Sequence, residues 1–332
     1  MESQSSTTFS EREHSRERST ARLLSLVETH CVLCGSHEAE LAASGYDFEY
    51  STALNHFRFV RCRSCSHLYL NPRPASSDLG VIYPSNYYAF AETQNRIVAR
   101  IQRLWETNKV RVYRQAVGPG PRRILEVGCG NGRFLALLRE HGHPEWSLVG
   151  IDLDKNAVRQ CVARGFDAHV TRIEDFKAED ESFDGVIMLQ LIEHVEDPAE
   201  ICEQVFALLR PGGCFIIETP NLAGLDYHIF KGTHWGHYHF PRHWNLFSTS
   251  ALHRLLEEQG FKIRHTDSLI STSAWIVSLH NYFLDKGFPG WFVRFFSYQN
   301  PLLLSIFVAL DWVRARLGFA TSNQRVVAVK QR

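Results

Sequence analysis

The sequence predicts an α/β protein built on a doubly wound, mostly parallel sheet. Three observations carry this. From residue 122 onward, short apolar runs alternate with amphipathic helical patterns. A glycine-rich turn, Gly128-Cys129-Gly130-Asn131-Gly132, joins the first of these runs to the first helix. The chain of 332 residues is 44% apolar and 22% charged, enough for such a sheet and a smaller unit beside it.

The elements follow in order. Residues 1–22 are rich in Ser, Glu and Arg and cannot bury enough surface to offset ordering entropy, so they are expected to be a disordered tail. Residues 23–90 form a small cysteine-punctuated unit that ends in a turn-rich stretch. Residues 91–120 are a linker helix, with Ile97, Ile101, Leu104 and Trp105 at helical spacing, closed by GPGP. Residues 121–332 are the α/β domain. Strands are expected at 122–127, 147–152, 183–189, 214–219, 261–268 and 324–330, and helices at 132–142, 154–165, 198–210 and 249–260. The two units are expected to have separate cores.

The glycine turn carries the strongest chemical signal. Gly128, Gly130 and Gly132 allow a tight turn and close approach of backbone to a ligand. Asp152 ends the next strand, where an acid can accept hydrogen bonds from a ribose diol. Together they describe an adenosine site. A dinucleotide fingerprint needs a third small residue where Arg133 stands, which disfavours NAD. Glu126 sits poorly beside a pyrophosphate and well beside a cation.

These segments, with SFDGVIMLQLIEHVEDP and LLRPGGCFIIETPN, resemble the class I S-adenosylmethionine-dependent methyltransferases of the UbiE-like, type 11 group. The resemblance covers about residues 120–330. It implies a Rossmann-like sheet of seven strands with an antiparallel last hairpin, and S-adenosyl-L-methionine as cofactor. It places Glu126 near the methionine part, Gly128, Gly130 and Gly132 along the cofactor, Asp152 on the ribose and Gln190 beside the sulfonium. Many members carry an Asp after the third strand for the adenine amine. Here Arg172 stands nearest that slot, and Glu174 or backbone groups would substitute.

Cys31-x-x-Cys34 and Cys62-x-x-Cys65 lie 27 residues apart. Two such pairs on two turns supply the four thiolates of a closed, structural zinc site. The gap exceeds the usual 15–20 residues, which an inserted hairpin can absorb. The segment from CVLCG to YPSNYY resembles the zinc-ribbon module found ahead of methyltransferase domains in bacterial proteins of sugar and cell-surface polysaccharide pathways.

Two regions bear on the acceptor. His194 follows the fourth strand, where an imidazole could take a proton from the acceptor. The segment 221–248 holds His228, His234, His237, His239 and His243 with Trp235 and Trp244. It reads as a wall of the substrate pocket with His239 as a second proton acceptor. A solvent-facing loop with coincidental histidines and a metal site are the alternatives, the metal site disfavoured because Gly and Pro interrupt the i, i+4 face of a typical one. About 55 residues separate the last two strands, where a short turn would suffice. This insertion, at about 270–320, is too short in its apolar run to span a bilayer. Packed helices, a membrane-surface contact through Trp291, Phe295 and Phe296, or a homodimer interface would each account for it.

Lys plus Arg and Asp plus Glu number 36 each, a balance that argues against duplex DNA as partner. Eight Cys are too few for a disulfide scaffold, and no signal peptide is visible, so a reducing cytoplasm is expected, with or without contact to the inner membrane face. The expected function is methyl transfer to a small molecule, a sugar or polysaccharide, or a lipid-linked acceptor. The rivals are an RNA methyltransferase, supported by Arg58, Arg61, Arg63 and Arg73, and a non-catalytic binding protein on the same fold.

Overall fold

A computed structural model describes residues 21–83 and 96–331. The first part carries strands β1 (Leu26–Val27), β2 (Ala39–Gly45), β3 (Phe57–Cys62), β4 (Leu68–Leu70) and β5 (Arg73–Pro74), then a short helix α1 (Leu79–Ile82). Helix α2 (Arg96–Val117) leads into the large sheet. The expected tail lies outside the described residues up to position 20. Arg22, its last residue, pairs with Asp78 and bridges to Ala53.

The large sheet alternates β6 (Arg122–Val127), α3 (Arg133–His141), β7 (Trp146–Asp152), α4 (Lys155–Ala163), β8 (Asp167–Val170), β9 (Phe183–Leu189), α5 (Pro198–Leu208) and β10 (Leu209–Pro220). Then come α6 (Leu225–Phe230), β11 (Asn245–Leu246), α7 (Thr249–Glu258) and β12 (Phe261–Leu269). The insertion holds α8 (Thr272–Asp285), α9 (Gly290–Val293) and α10 (Pro301–Arg316), and β13 (Asn323–Lys330) closes the chain. The seven strands are ordered β12-β13-β10-β9-β6-β7-β8. β13 runs antiparallel to both neighbours and the other pairings are parallel. The fold class is the one the sequence predicts.

Local chemistry sets the boundaries. The central parallel strands are buried on both faces, which is why Ile124 to Val127 and Phe183 to Met188 read as continuous runs. Asp154, Asp197, Ser248 and Asn300 cap α4, α5, α7 and α10 through their side-chain oxygens. Pro198 and Pro301 occupy first-turn positions where no N–H is needed. β8 escapes the pattern reading because it is an edge strand, mostly exposed, with no buried apolar face to reveal it.

The expectation of two separate cores is corrected by the structure. β11, from the histidine-rich segment, pairs with β4 and completes the sheet β11-β4-β3-β2. One apolar cluster joins Phe57, Phe59, Leu68 and Leu70 of the first part to Tyr227, Trp235, Tyr238 and Trp244 of the second. Indole and aromatic rings bury large areas, so neither side is complete without the other.

Candidate active site and cysteine cluster

The strand order reverses between β6 and β9, so a crevice opens at their carboxyl ends. The glycine turn lies there. Gly128, Gly130 and Gly132 all take positive φ, at 79°, 52° and 77°. A Cβ on Gly130 would meet no protein atom within 4 Å, so the backbone there faces open space. A Cβ on Gly132 would instead strike Cys161 Sγ at 2.6 Å, so that glycine serves helix–helix packing. Asp152 laces the turn: its carboxylate accepts from Gly130 N and Asp154 N, each at 2.8 Å. Two of its four lone-pair directions remain for a ligand. Glu126 is buried, its Oε2 has no partner, and burial and the nearby Asp152 raise its carboxyl well above the usual range. A buried, orphaned acceptor beside open backbone suits a cationic ligand group such as the α-ammonium of S-adenosylmethionine. Arg172 and Glu174 pair with each other at 3.5 Å.

Opposite the turn lies the loop after β9. A Cβ on Gly128 would touch Leu191 Cδ2 at 3.1 Å, so the two loops adjoin. Gln190 takes φ +50° while its N–H donates to the Glu218 carbonyl at 2.8 Å. Such left-handed backbone in a non-glycine residue is held only where surroundings impose it. Glu193 is wholly buried. Thr219 Oγ1 donates to its Oε2 at 2.9 Å, Oε1 has no partner, and burial pushes its carboxyl up to about 8.

The histidine-rich segment folds inward over this loop. His237, His239 and His243 are buried. The His194 ring lies 4.6 Å from His243 and 6.5 Å from His239, centroid to centroid. Burial first, and then neighbouring His239, push His194 down to about 3. It stays neutral at any working pH and holds a transferred proton weakly. His239 has a different setting. Its Nδ1 meets Glu49 Oε1 at 2.6 Å, and its backbone is left-handed at φ +39°. A carboxylate that orients an imidazole is the arrangement of a general base and its supporting acid. Glu49 comes from the loop between β2 and β3, and its charge bears on Tyr298 of the insertion. Sequence reasoning names His239 and misses Glu49, since 190 positions separate them.

The four expected metal-ligating cysteines come together. Cys31 and Cys65 sulfurs lie 3.4 Å apart and those of Cys34 and Cys62 lie 3.5 Å apart, with all four within 4.8 Å. All are free thiols. Tetrahedral zinc–thiolate bonds of about 2.3 Å set sulfurs roughly 3.8 Å apart, so the donor set fits a structural zinc. Gly35 and Ser66 supply the positive φ that turns each knuckle. Burial opposes ionisation of Cys62, but hydrogen bonds from Cys65, Cys34 and Ser64 outweigh it and bring the thiol down to about 7. The Cys65 sulfur in turn raises Arg254 of α7, which places a cation from the α/β unit beside the cluster.

A profile of the Methyltransf_23 family, described as a methyltransferase domain, matches residues 90–266. The chain is 31% identical over 147 residues to a Mycolicibacterium smegmatis protein named "Probable S-adenosylmethionine-dependent methyltransferase", covering 44% of this chain and 54% of that one. It is 33% identical over 132 residues to a ubiquinone biosynthesis O-methyltransferase of Xylella fastidiosa, covering 34% of this chain and 52% of that one. The chain thus spans about half the length of these curated relatives. A Haloferax volcanii structure of the Trm112 methyltransferase activator with its methyltransferase partner aligns with a TM-score of 0.48 at 18% identity, covering 70% of this chain and 92% of that one.

Proposed function

The chain belongs to the methyltransferase-domain family, and from that membership we propose that it transfers a methyl group from S-adenosylmethionine to a small-molecule, glycan or lipid-linked acceptor. The observation that carries the reading is the pairing of an open glycine turn, laced by Asp152, with the orphaned Glu126 carboxylate beneath it. Gly128, Gly130 and Asp152 would hold the adenosine half, and Glu126 the methionine ammonium. When bound, the cofactor supplies an electrophilic methyl group on a sulfonium. Gln190 would border that methyl group. The His239–Glu49 pair would receive the acceptor's proton, and proximity in the crevice would supply much of the remaining rate.

Several observations bear on the acceptor. The curated relatives named as ubiquinone biosynthesis O-methyltransferases support a small molecule. The insertion supports a lipid-linked one. Leu302, Ile306, Leu310 and Val313 form one exposed stripe along α10, and Leu317 continues it. Trp291, Phe295 and Phe319 extend the apolar surface. Between residues 286 and 319 the basic side chains are Lys286, Arg294, Arg314 and Arg316, and the single acid, Asp311, is buried against Trp275 and Ser271. An apolar surface flanked by these basic residues matches an anionic lipid surface; Asp285, just before it, is exposed and pairs with His234. No described helix is long and apolar enough to cross a membrane. Phe296, grouped with Trp291 and Phe295 on sequence grounds, instead stacks on Phe283 at 4.8 Å within the insertion. Zinc on the four cysteines would fix the ribbon that delivers Glu49.

The test is titration calorimetry with S-adenosylmethionine, followed by a radiolabelled methyl-transfer screen of polar and lipid-linked metabolites. Absence of cofactor binding would reject the reading and revive a binding role. Retention on RNA resin with a steep salt slope would favour the RNA alternative.

A further inference from the structure

Three residues beside the proposed base are left unexplained by methyl transfer alone. Glu193 and His194 sit on the single turn after β9, and His243 descends from the histidine-rich segment. Each offers one ligand atom, and these atoms all lie within 4.8 Å of one another. We propose that Glu193, His194 and His243 bind a divalent transition-metal ion, of the zinc, manganese or iron(II) class, at a site separate from the four cysteines.

The hydrogen bonds around the cluster support this. His243 Nδ1 lies 2.7 Å from the His237 carbonyl, and His194 Nδ1 lies 3.0 Å from the Arg242 carbonyl. A carbonyl oxygen can only accept, so each Nδ1 carries the proton and donates it. The Tyr83 hydroxyl, 2.9 Å from His194 Nδ1, shares that proton as a second acceptor. The lone pair of each ring is therefore on Nε2. Imidazoles that bind metals are usually oriented this way, by donating the other ring N–H to a carbonyl. The carboxylate shows the same division of labour. Thr219 fixes Glu193 Oε2, while Oε1 is buried without a partner. Each ring thus keeps a lone pair for an ion, and Glu193 Oε1 is buried without a partner among the described residues. A cation satisfies all three at once.

The donor set narrows the ion. Two imidazoles and one carboxylate are preferred by zinc, manganese and iron(II), whereas calcium and magnesium favour oxygen. Three protein ligands leave at least one coordination position open, as in catalytic rather than structural sites. The nearby cation, Arg242, is engaged by Asp47, with both side chains fully buried. His239, whose ring lies 5.0 Å from that of His243, borders the cluster. A hydroxyl-bearing acceptor bound in the open position would have its acidity raised by the ion. That last role rests on the methyl-transfer reading; the metal site itself does not.

Cobalt(II) substitution of the full chain tests the site. Metal-stripped protein should take up two equivalents. One should show the thiolate-to-cobalt charge-transfer band of the cysteine cluster, and the other only weak ligand-field bands. The near-isosteric Glu193→Gln, and separately His243→Gln, should weaken the second equivalent by about 100-fold or more while keeping the thiolate band. Circular dichroism identifies a variant that fails to fold, and Glu193→Gln, the gentler change, then decides. A single equivalent in the wild type, or a second that persists unchanged in the folded variant, would overturn the proposal. Cofactor titration in the same samples separates this outcome from failure of the methyltransferase reading, because the cofactor residues are not altered.

Discussion

Arg242 and Asp47 form a fully buried ion pair across 195 positions of chain, Nη1 to Oδ1 at 2.9 Å and Nη2 to Oδ2 at 3.1 Å. The pair fastens the loop carrying Glu49 to the segment carrying His239. Thr52 adds a hydrogen bond to Asp47 at 2.7 Å, and Arg242 also donates to the Ile82 and Phe240 carbonyls. Removal of either charge strands the other in a dry interior. Asp47→Ala is therefore expected to cost about 3–5 kcal/mol in denaturant unfolding. Arg242 and the Thr52 bonds outweigh burial and hold the Asp47 carboxyl below its ordinary value. Its contribution is thus present above the unfolded carboxyl range near pH 4 and is lost as pH falls through the lower folded value. Wild-type protein should lose this increment on acidification and Asp47→Ala should not.

On the proposed reading, cofactor binding would depend on Asp152 and the glycine turn. Asp152→Ala removes a hydrogen-bonding carboxylate and with it the bond from Gly130 N that orders the turn and the bond from Asp154 N. S-adenosylmethionine affinity should fall by about 1.5–3 kcal/mol in titration calorimetry. Gly130→Val places a branched side chain in the open space at a strained φ, and should abolish binding while the protein still folds. Wild-type affinity in both variants would contradict the assignment.

On the reading proposed above, proton removal would fall to His239 rather than His194, because Glu49 lies 2.6 Å from the first and burial disfavours the charged form of the second. His239→Ala should lower kcat by about 10²–10⁴-fold with little change in cofactor affinity. Glu49→Gln should lower kcat less, since the imidazole remains. Equal rates for the wild type and His239→Ala would leave proximity as the source of rate.

Zinc removal is expected to reach beyond the first hundred residues. β11 pairs with β4 of the N-terminal sheet, and the two parts share one aromatic cluster. If zinc sits on Cys31, Cys34, Cys62 and Cys65, its removal should therefore speed amide exchange over residues 225–247 as well as over the N-terminal strands. Protection that is unchanged in 225–247 after chelation would show the halves to be independent.

Membrane contact is tested with vesicles. The protein should co-sediment with anionic vesicles and less with neutral ones. Combined replacement of Trp291, Phe295 and Leu302 by Ser should release it, since these are exposed side chains with no core role. A wild type that ignores vesicles but dimerises in ultracentrifugation would assign the same face to a second copy.

The sequence by itself determined what depends on neighbours along the chain. Continuous apolar runs marked the buried parallel strands, amphipathic spacing marked the helices, and the Gly128 to Gly132 turn with Asp152 marked the crevice where the cofactor is proposed to bind. The two Cys-x-x-Cys knuckles were legible because each is a local turn, and their meeting followed from ligand number. What only the tertiary structure decided lies in pairs remote in sequence. Glu49 reached His239, Asp47 reached Arg242, and His243 reached Glu193 and His194 because β11 crosses into the N-terminal sheet. Local patterning records burial and turn preference at each position, but it holds no term for which distant loop a histidine will meet. That was settled by closure of one aromatic core over two segments, which placed the imidazoles out of water and gave each ring its hydrogen-bond partner.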